Sequence, residues 1–230
     1  MKKIAIVQSN YLPWIGYFDL ISYVDEFVIF DSMQYTKRDW RNRNIIKTPQ
    51  GKKWLTIPIQ SKGKFDQSIY ETEVSDTKWS KDHWKSIQMN YSSAPFFKEI
   101  SNILEPLYEM KHTNLSKLNT IFIKEICDYL NIKTVISHSN QFSISGEKSQ
   151  RLANICIESK SGCYVSGPTA RDYLDTELFK NYHIDVEWFD YEEYPSYKQL
   201  WGPFESQLSI IDTLFNCGKE TSNHLKKCII

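Results

Sequence analysis

Two stretches of the first half combine groups that bind anions with groups that stack. Lys37, Arg38, Arg41, Arg43 and Lys47 are gathered around one acid, Asp39. Arginine forks match phosphate oxygens in a bidentate way. Gln34 precedes them, and Tyr35 and Trp40 are interleaved among them, so phosphate donors and stacking faces occur together, as a nucleotide requires. The bland alternative is a solvated basic loop. Upstream, Gln8, Asn10, Tyr11, Trp14 and Tyr17 follow a short apolar run, with Pro13 fixing φ and Gly16 permitting close packing. The turn they form can also be a site.

Acid–base and oxyanion chemistry has fewer candidates. Asp31 and Asp39 are possible bases; Asn10, Gln8 and the backbone at Gly167 are possible donors to a carbonyl oxygen. Ser166-Gly167-Pro168 lies where a strand passes into a helix, which fits either an anion site or an ordinary turn capped by Thr169. Arg171 and Asp172, which follow, read as a solvated pair. His83, His112, His138, His183 and His224 are isolated, with no HxxxH or HExxH spacing, so no metal site is expected. There is no GxSxG elbow, P-loop or GxGxxG, and no cofactor is evident. Cys127, Cys156, Cys163, Cys217 and Cys228 are odd in number and form no CxxC pair, which argues against a disulfide framework or a zinc knuckle.

The elements that must position these groups are those of an α/β fold with a mainly parallel sheet flanked by helices. Ile4 to Gln8 and Phe27 to Phe30 read as buried strands around a helix over Tyr17 to Val24, a β-α-β unit whose functional edge lies beyond the strands' carboxyl ends. Residues 33 to 53 have no clean period. Trp54 to Ile59 reads as an edge strand that Ile69 to Val74 can join. Three helices follow: one capped by Asp76 and running to Tyr91, one opened by Pro95, and one capped by Asn114. They form a helical subdomain at about 77–130 within a single domain of 1–230. Later come a strand over Thr134 to Ser137, a helix over Glu147 to Glu158, a strand at Tyr164 and Val165, and a helix from Thr169 holding Tyr173, Leu174 and Phe179. A strand over Val186 to Phe189 and a helix over Leu208 to Phe215 complete the chain. The run Asp190-Tyr191-Glu192-Glu193-Tyr194, with Trp201 to Glu205 after it, either wraps the core or balances the basic loop.

Composition narrows the function classes. The 230 residues are 41% hydrophobic and 24% charged, with zero net charge, so no global field favours nucleic acid or an acidic membrane. Aromatics make up 14%, enough for both a dense core and a stacking site for sugars or bases. No run approaches the roughly 20 apolar residues of a transmembrane helix. Only four apolar residues separate Lys3 from Gln8, too few for a signal peptide, and a cytoplasmic location is expected.

The strings IAIVQSNYLPWIGYFDLI, DSMQYTKRDWRNRNIIKTPQGKKWLTIPI, VSGPTARDYLD and WGPFESQLSIIDTLFN resemble the WbqC-like family, from residue 4 to about 218. Val7 and Ser9 stand where many members carry His and Pro. The resemblance implies a place in O-antigen or other lipopolysaccharide and surface-polysaccharide biosynthesis, and transfer of a glycyl-like group to an amino sugar. A weaker likeness joins Tyr11-x-Pro13 and Trp14-x-Gly16-Tyr17 to the FxPxHxGH signature of nucleotidylyltransferases. The signature histidines fall at Trp14 and Tyr17 and the spacing is one residue short, so the likeness implies a nucleotide-binding layout rather than adenylyl transfer. Together these readings give a transferase acting on a nucleotide-linked amino sugar, with an acyl carrier protein or another aminoacyl donor as partner. The alternatives are a different sugar-modifying transferase, or a non-catalytic protein that binds a sugar nucleotide or organises pathway enzymes.

Overall fold

The computed structural model describes residues 1–191 and 194–225. Glu192, Glu193 and Cys228 therefore lie outside the described residues. The elements in chain order are β1 (Lys3–Val7), α1 (Ile15–Tyr23), β2 (Glu26–Ile29), β3 (Arg43–Thr48), β4 (Gly51–Thr56), α2 (Trp79–Tyr91), α3 (Phe97–Glu109) and α4 (Leu115–Tyr129). They continue as β5 (Val135–His138), α5 (Lys148–Glu158), β6 (Cys163–Ser166), α6 (Thr176–Asn181), β7 (Asp185–Trp188) and α7 (Ile210–Cys217).

The main sheet has the order β5-β2-β1-β6-β7, and every pairing in it is parallel. Strands covered on both faces must be apolar on both, and the continuous runs at Ile4–Ile6 and Phe27–Ile29 meet that need. Alternate residues serve the two sides. Ile4, Ile6, Val28 and Phe30 pack with Ala153, Cys156 and Phe179 of α5 and α6. Ala5, Phe27 and Ile29 pack in one continuous core with α1, α2, α3, α4 and α7. From β1 the chain winds outward through β2 to β5, then returns to lay β6 against the other side of β1. The winding therefore reverses between β1 and β6, and a crevice at such a reversal is where doubly wound sheets hold ligands.

Several local expectations are corrected. The helix expected over Tyr17 to Val24 begins two residues earlier, because extended Trp14 caps it and Gly16 leaves room for the indole. A Cβ on Gly16 would sit 2.4 Å from the Trp14 ring. Residues 43–48, which showed no period, form strand β3. Its buried residues include Asn44, Lys47 and Thr48, so polarity hid the alternation. The strand expected over Trp54 to Ile59 lies at 51–56 and pairs with β3, while Ile69–Val74 meets that region only through a bridge between Ile59 and Val74. The helix expected from Thr169 is two pieces. A 3-10 turn spans Pro168–Asp172, and Asp175 then caps α6 by accepting from Leu178 N–H at 3.1 Å. Tyr173, expected on that helix, falls between the pieces and is 61% exposed.

The segment after β7 wraps the hairpin. Trp201 donates to Asn90 O (3.0 Å), and Lys47 Nζ reaches Gln199 Oε1 (2.6 Å) and Pro203 O. Glu205 pairs with Lys52 at 2.7 Å, so this run both covers the core and balances part of the basic stretch. Cys127, Cys156, Cys163 and Cys217 are buried free thiols. No helix among the described residues is long and apolar enough to cross a membrane.

Candidate functional site

The turn that leaves β1 is held from below by Tyr11. Its side chain is fully buried, and its hydroxyl meets Tyr108 Oη at 2.6 Å and His83 Nδ1 at 2.9 Å. Its backbone N–H bonds Trp40 O at 3.0 Å, tying the turn to the loop after β2. Leu12 next to it sits at φ +43°, a left-handed conformation unusual for a branched side chain. The carbonyls of this bend are satisfied from outside: Asn44 Nδ2 donates to Tyr11 O (3.1 Å) and Leu12 O (2.7 Å), and Ser209 Oγ donates to Leu12 O (2.8 Å). Strain of this kind persists where surrounding contacts over-determine it, which is common at binding sites.

His83 gives this support a pH dependence. Burial pushes its imidazole down to about 4 from the usual 6.5. The folded protein thus keeps His83 neutral where the unfolded chain takes up a proton. Its contribution is complete above pH 6.5 and is lost as pH falls. By linkage, about 3 kcal/mol of stability should disappear between pH 6.5 and pH 4. Urea unfolding midpoints across that range check this. His83→Asn, which keeps an acceptor near the Tyr11 hydroxyl but cannot titrate there, should flatten the dependence.

Arg41 organises the upper surface of the turn. Its guanidinium donates to Asn10 Oδ1 and, at 3.1 Å, to Gln8 Oε1, and lies 3.6 Å from Asp39. Asp39 also accepts from Thr36 Oγ1 (2.6 Å) and Trp40 N–H (2.7 Å). Burial alone would raise the Asp39 carboxyl. The Thr36 hydroxyl, Arg41, the Trp40 N–H and Arg43 outweigh that effect and hold it below the ordinary carboxylate range. Asp39 is therefore a good counter-ion and a weak base. Asp31 is separate and almost fully buried. It accepts from Ser9 N–H (2.7 Å) and Ser9 Oγ (2.6 Å), while Asn119 of α4 spans Ser9 Oγ (3.1 Å) and Arg41 O (2.8 Å).

Two clefts open beside this turn. The first, about 260 Å³, is walled by Pro13, Trp14 and Trp40, with the amides of Asn10, Asn44 and Gln207. Trp40 is backed by Trp54, with ring centroids 5.3 Å apart, and the Arg43 guanidinium lies 4.1 Å over the Trp54 ring. The second, about 340 Å³, lies over the ends of β2 and β5 and includes Asp31, Ser32, Asp66, Tyr70, His138 and Ser139 in its lining. Asn10 lines the first cleft, and its neighbour Ser9 bonds Asp31 of the second, so one turn separates them.

The structure brings together Gln8, Asn10, Asp39, Arg41 and Trp14. Tyr11, Tyr17 and Tyr35 point inward: Tyr17 Oη donates to Gln8 O (3.1 Å) and Tyr35 Oη to Asn42 Oδ1 (2.9 Å), so these rings support the loops from beneath. Gln34 donates to Phe65 O (2.8 Å), and Lys37 lies 5.6 Å over the Phe65 ring. Arg38 adopts φ +60°, and its carbonyl accepts from Arg43. The basic stretch is thus divided among several partners rather than aimed at one point. Ser166 is buried against Tyr164 Oη (3.3 Å), and Gly167 lies across the reversal from Trp14, with Tyr191 packed against both. The Gly167 turn is a five-residue 3-10 segment, not the start of a long helix.

Sequence reasoning did not single out Trp54, Gln207, Asn44 or His138. The structure places His138 as the last residue of β5, paired in register with Ile29 at the same carboxyl edge.

A doubly wound parallel sheet, with polar and aromatic groups crowded at the carboxyl edge around its reversal point, defines an α/β protein whose candidate ligand site is that edge. Residues 8–224 match the model of the WbqC-like protein family, and the chain belongs to that family. It is 54% identical over 229 residues to the uncharacterized protein Rv1507c of Mycobacterium tuberculosis, an alignment that covers 99% of each chain. No solved structure was found to match.

Proposed function

We propose that the protein binds a nucleotide-linked amino sugar along this edge and transfers an acyl group of aminoacyl type to the sugar amine, in the cytoplasmic assembly of an O-antigen-like surface polysaccharide. The observation that carries the reading is the order of chemistry across the β1 turn. A tryptophan-walled cleft with amide groups comes first, then Arg41 with Gln8 and Asn10, then a cleft of hydroxyls and carboxylates. A nucleotide sugar has the same order: a flat base, an anionic diphosphate and a hydroxylated ring. In the reaction the amine nitrogen attacks the carbonyl carbon of an activated ester or thioester, carried by a carrier protein or another acyl donor. The amide C–N bond forms, the C–O or C–S bond breaks, and the amine proton leaves with the alcohol or thiol. Of the two candidate bases, Asp31 and Asp39, this reading has Asp31, which lines the second cleft, take that proton in passing.

A ligand at a hundred times its Kd should stabilise the fold by about 2.7 kcal/mol. We expect such a thermal shift with one dTDP-, UDP- or GDP-linked amino sugar, and its loss in Arg41→Ala. An unchanged shift in that variant would remove the phosphate role, and no shift with any sugar nucleotide would end the reading. The low Asp39 carboxyl favours a second reading, binding without turnover. That reading wins if the sugar nucleotide binds and no activated acyl donor is ever consumed.

A further inference from the structure

The second cleft contains a donor that the transfer reading does not require and that its surroundings have fixed. One ring nitrogen of His138 accepts from the backbone N–H of Gln141, while the backbone N–H of His138 donates to Gln141 Oε1 (2.9 Å). In a neutral imidazole the proton must then be on the other nitrogen. No hydrogen-bond partner takes that nitrogen among the described residues, and His138 lines the cleft. Burial, with Lys124 beside it, outweighs the pull of Asp31 and keeps this histidine below its usual value, so the ring stays neutral. A neutral N–H is suited to a carbonyl oxygen, because it donates without adding a charge. Around it, Asp31, Asp66 and Glu71 line the same cleft and no cationic side chain does. Asp31 and Glu71 already hold Ser9 and Ser68, whereas Asp66 is exposed.

We propose that this cleft binds a small molecule or acyl group with an ammonium beside a carbonyl: the carbonyl oxygen on the His138 N–H, the ammonium toward Asp66 and Glu71. A simple carboxylate anion would be repelled by the acids, and a simple amine would leave His138 unused. The role of such a group as the acyl donor's end rests on the transfer reading above; its binding does not.

The experiment is long-range proton–nitrogen NMR of the histidine rings, with His138 assigned through His138→Gln and glycinamide and acetamide as probes. The expected result is one neutral tautomer for His138 near pH 7, a ring signal that moves with glycinamide, and acetamide weaker by roughly fivefold, the size of an exposed charge contact. Asp66→Asn, a surface change, should narrow that gap. Exchange between two tautomers, equal binding of both amides, or no movement with either would overturn the proposal. Glycinamide binding in a protein that ignores every sugar nucleotide would keep this cleft and discard the transfer reading. The reverse pattern would keep the sugar-nucleotide site and discard the ammonium–carbonyl site in this cleft.

Discussion

Tyr11→Ala should lower the unfolding free energy by about 3–5 kcal/mol, the range for truncating a large buried aromatic. Its ring has no exposure and meets Trp79 and Phe122 edge-on at centroid distances of 6.0 and 5.9 Å. The cavity would lie directly beneath the strained bend at Leu12, so the thermal shift proposed for a sugar nucleotide should vanish along with the stability. Tyr11→Phe separates the two effects. It keeps the ring but leaves the Tyr108 hydroxyl and His83 Nδ1 without a shared partner, and should be less stable by about 1–3 kcal/mol. The ligand shift should survive in that variant. Denaturant unfolding followed by tryptophan fluorescence measures both, and a loss below about 1 kcal/mol for Tyr11→Ala would show that Tyr11 is not the support described.

Asp31→Ala should have the next largest effect. Hydrogen bonds to a charged acceptor contribute about 1.5–3 kcal/mol each, and Asp31 takes two from Ser9. Removing the carboxylate strands the buried Ser9 N–H and hydroxyl, so roughly 3–4 kcal/mol should be lost after partial relaxation. Asp31→Asn keeps an acceptor of the same shape and should lose less than half of that. A different split is informative: if both variants keep near-native stability but acyl transfer stops in each, Asp31 acts on the substrate rather than on the turn.

The sequence announced the parts that depend on apolar periodicity and failed where polar residues are buried. The runs at Ile4–Ile6 and Phe27–Ile29, and the stripe of Leu115, Leu118, Phe122 and Ile126 on α4, pointed to their elements because each buried face is apolar. Strand β3 was hidden because Asn44 faces inward to hold the carbonyls of Tyr11 and Leu12. The carboxyl edge was legible as a place, since Gln8, Asn10 and Asp31 all follow apolar strands. The state of each group there was not. That Tyr11 turns inward, or that Asp39 is held in its charged form, depends on neighbours distant in the chain. His138 was passed over because it has no motif spacing. Its meaning comes from register, and register is a property of the folded sheet.

The strained carbonyl at Leu12 is capped by Ser209, and Ile210 N–H bonds Pro13 O at 2.9 Å. Ser209 follows Leu12 by 197 residues, so the ribosome makes this bend, and its other partner Asn44, long before these two bonds can form. During synthesis the turn that carries Gln8 and Asn10 must wait without the bonds from Ser209 and Ile210. A chain stalled before residue 209 can already contain every strand of the sheet and still lack two of the bonds that fix this turn, so the candidate site along that edge should be completed only after the sheet itself has been made.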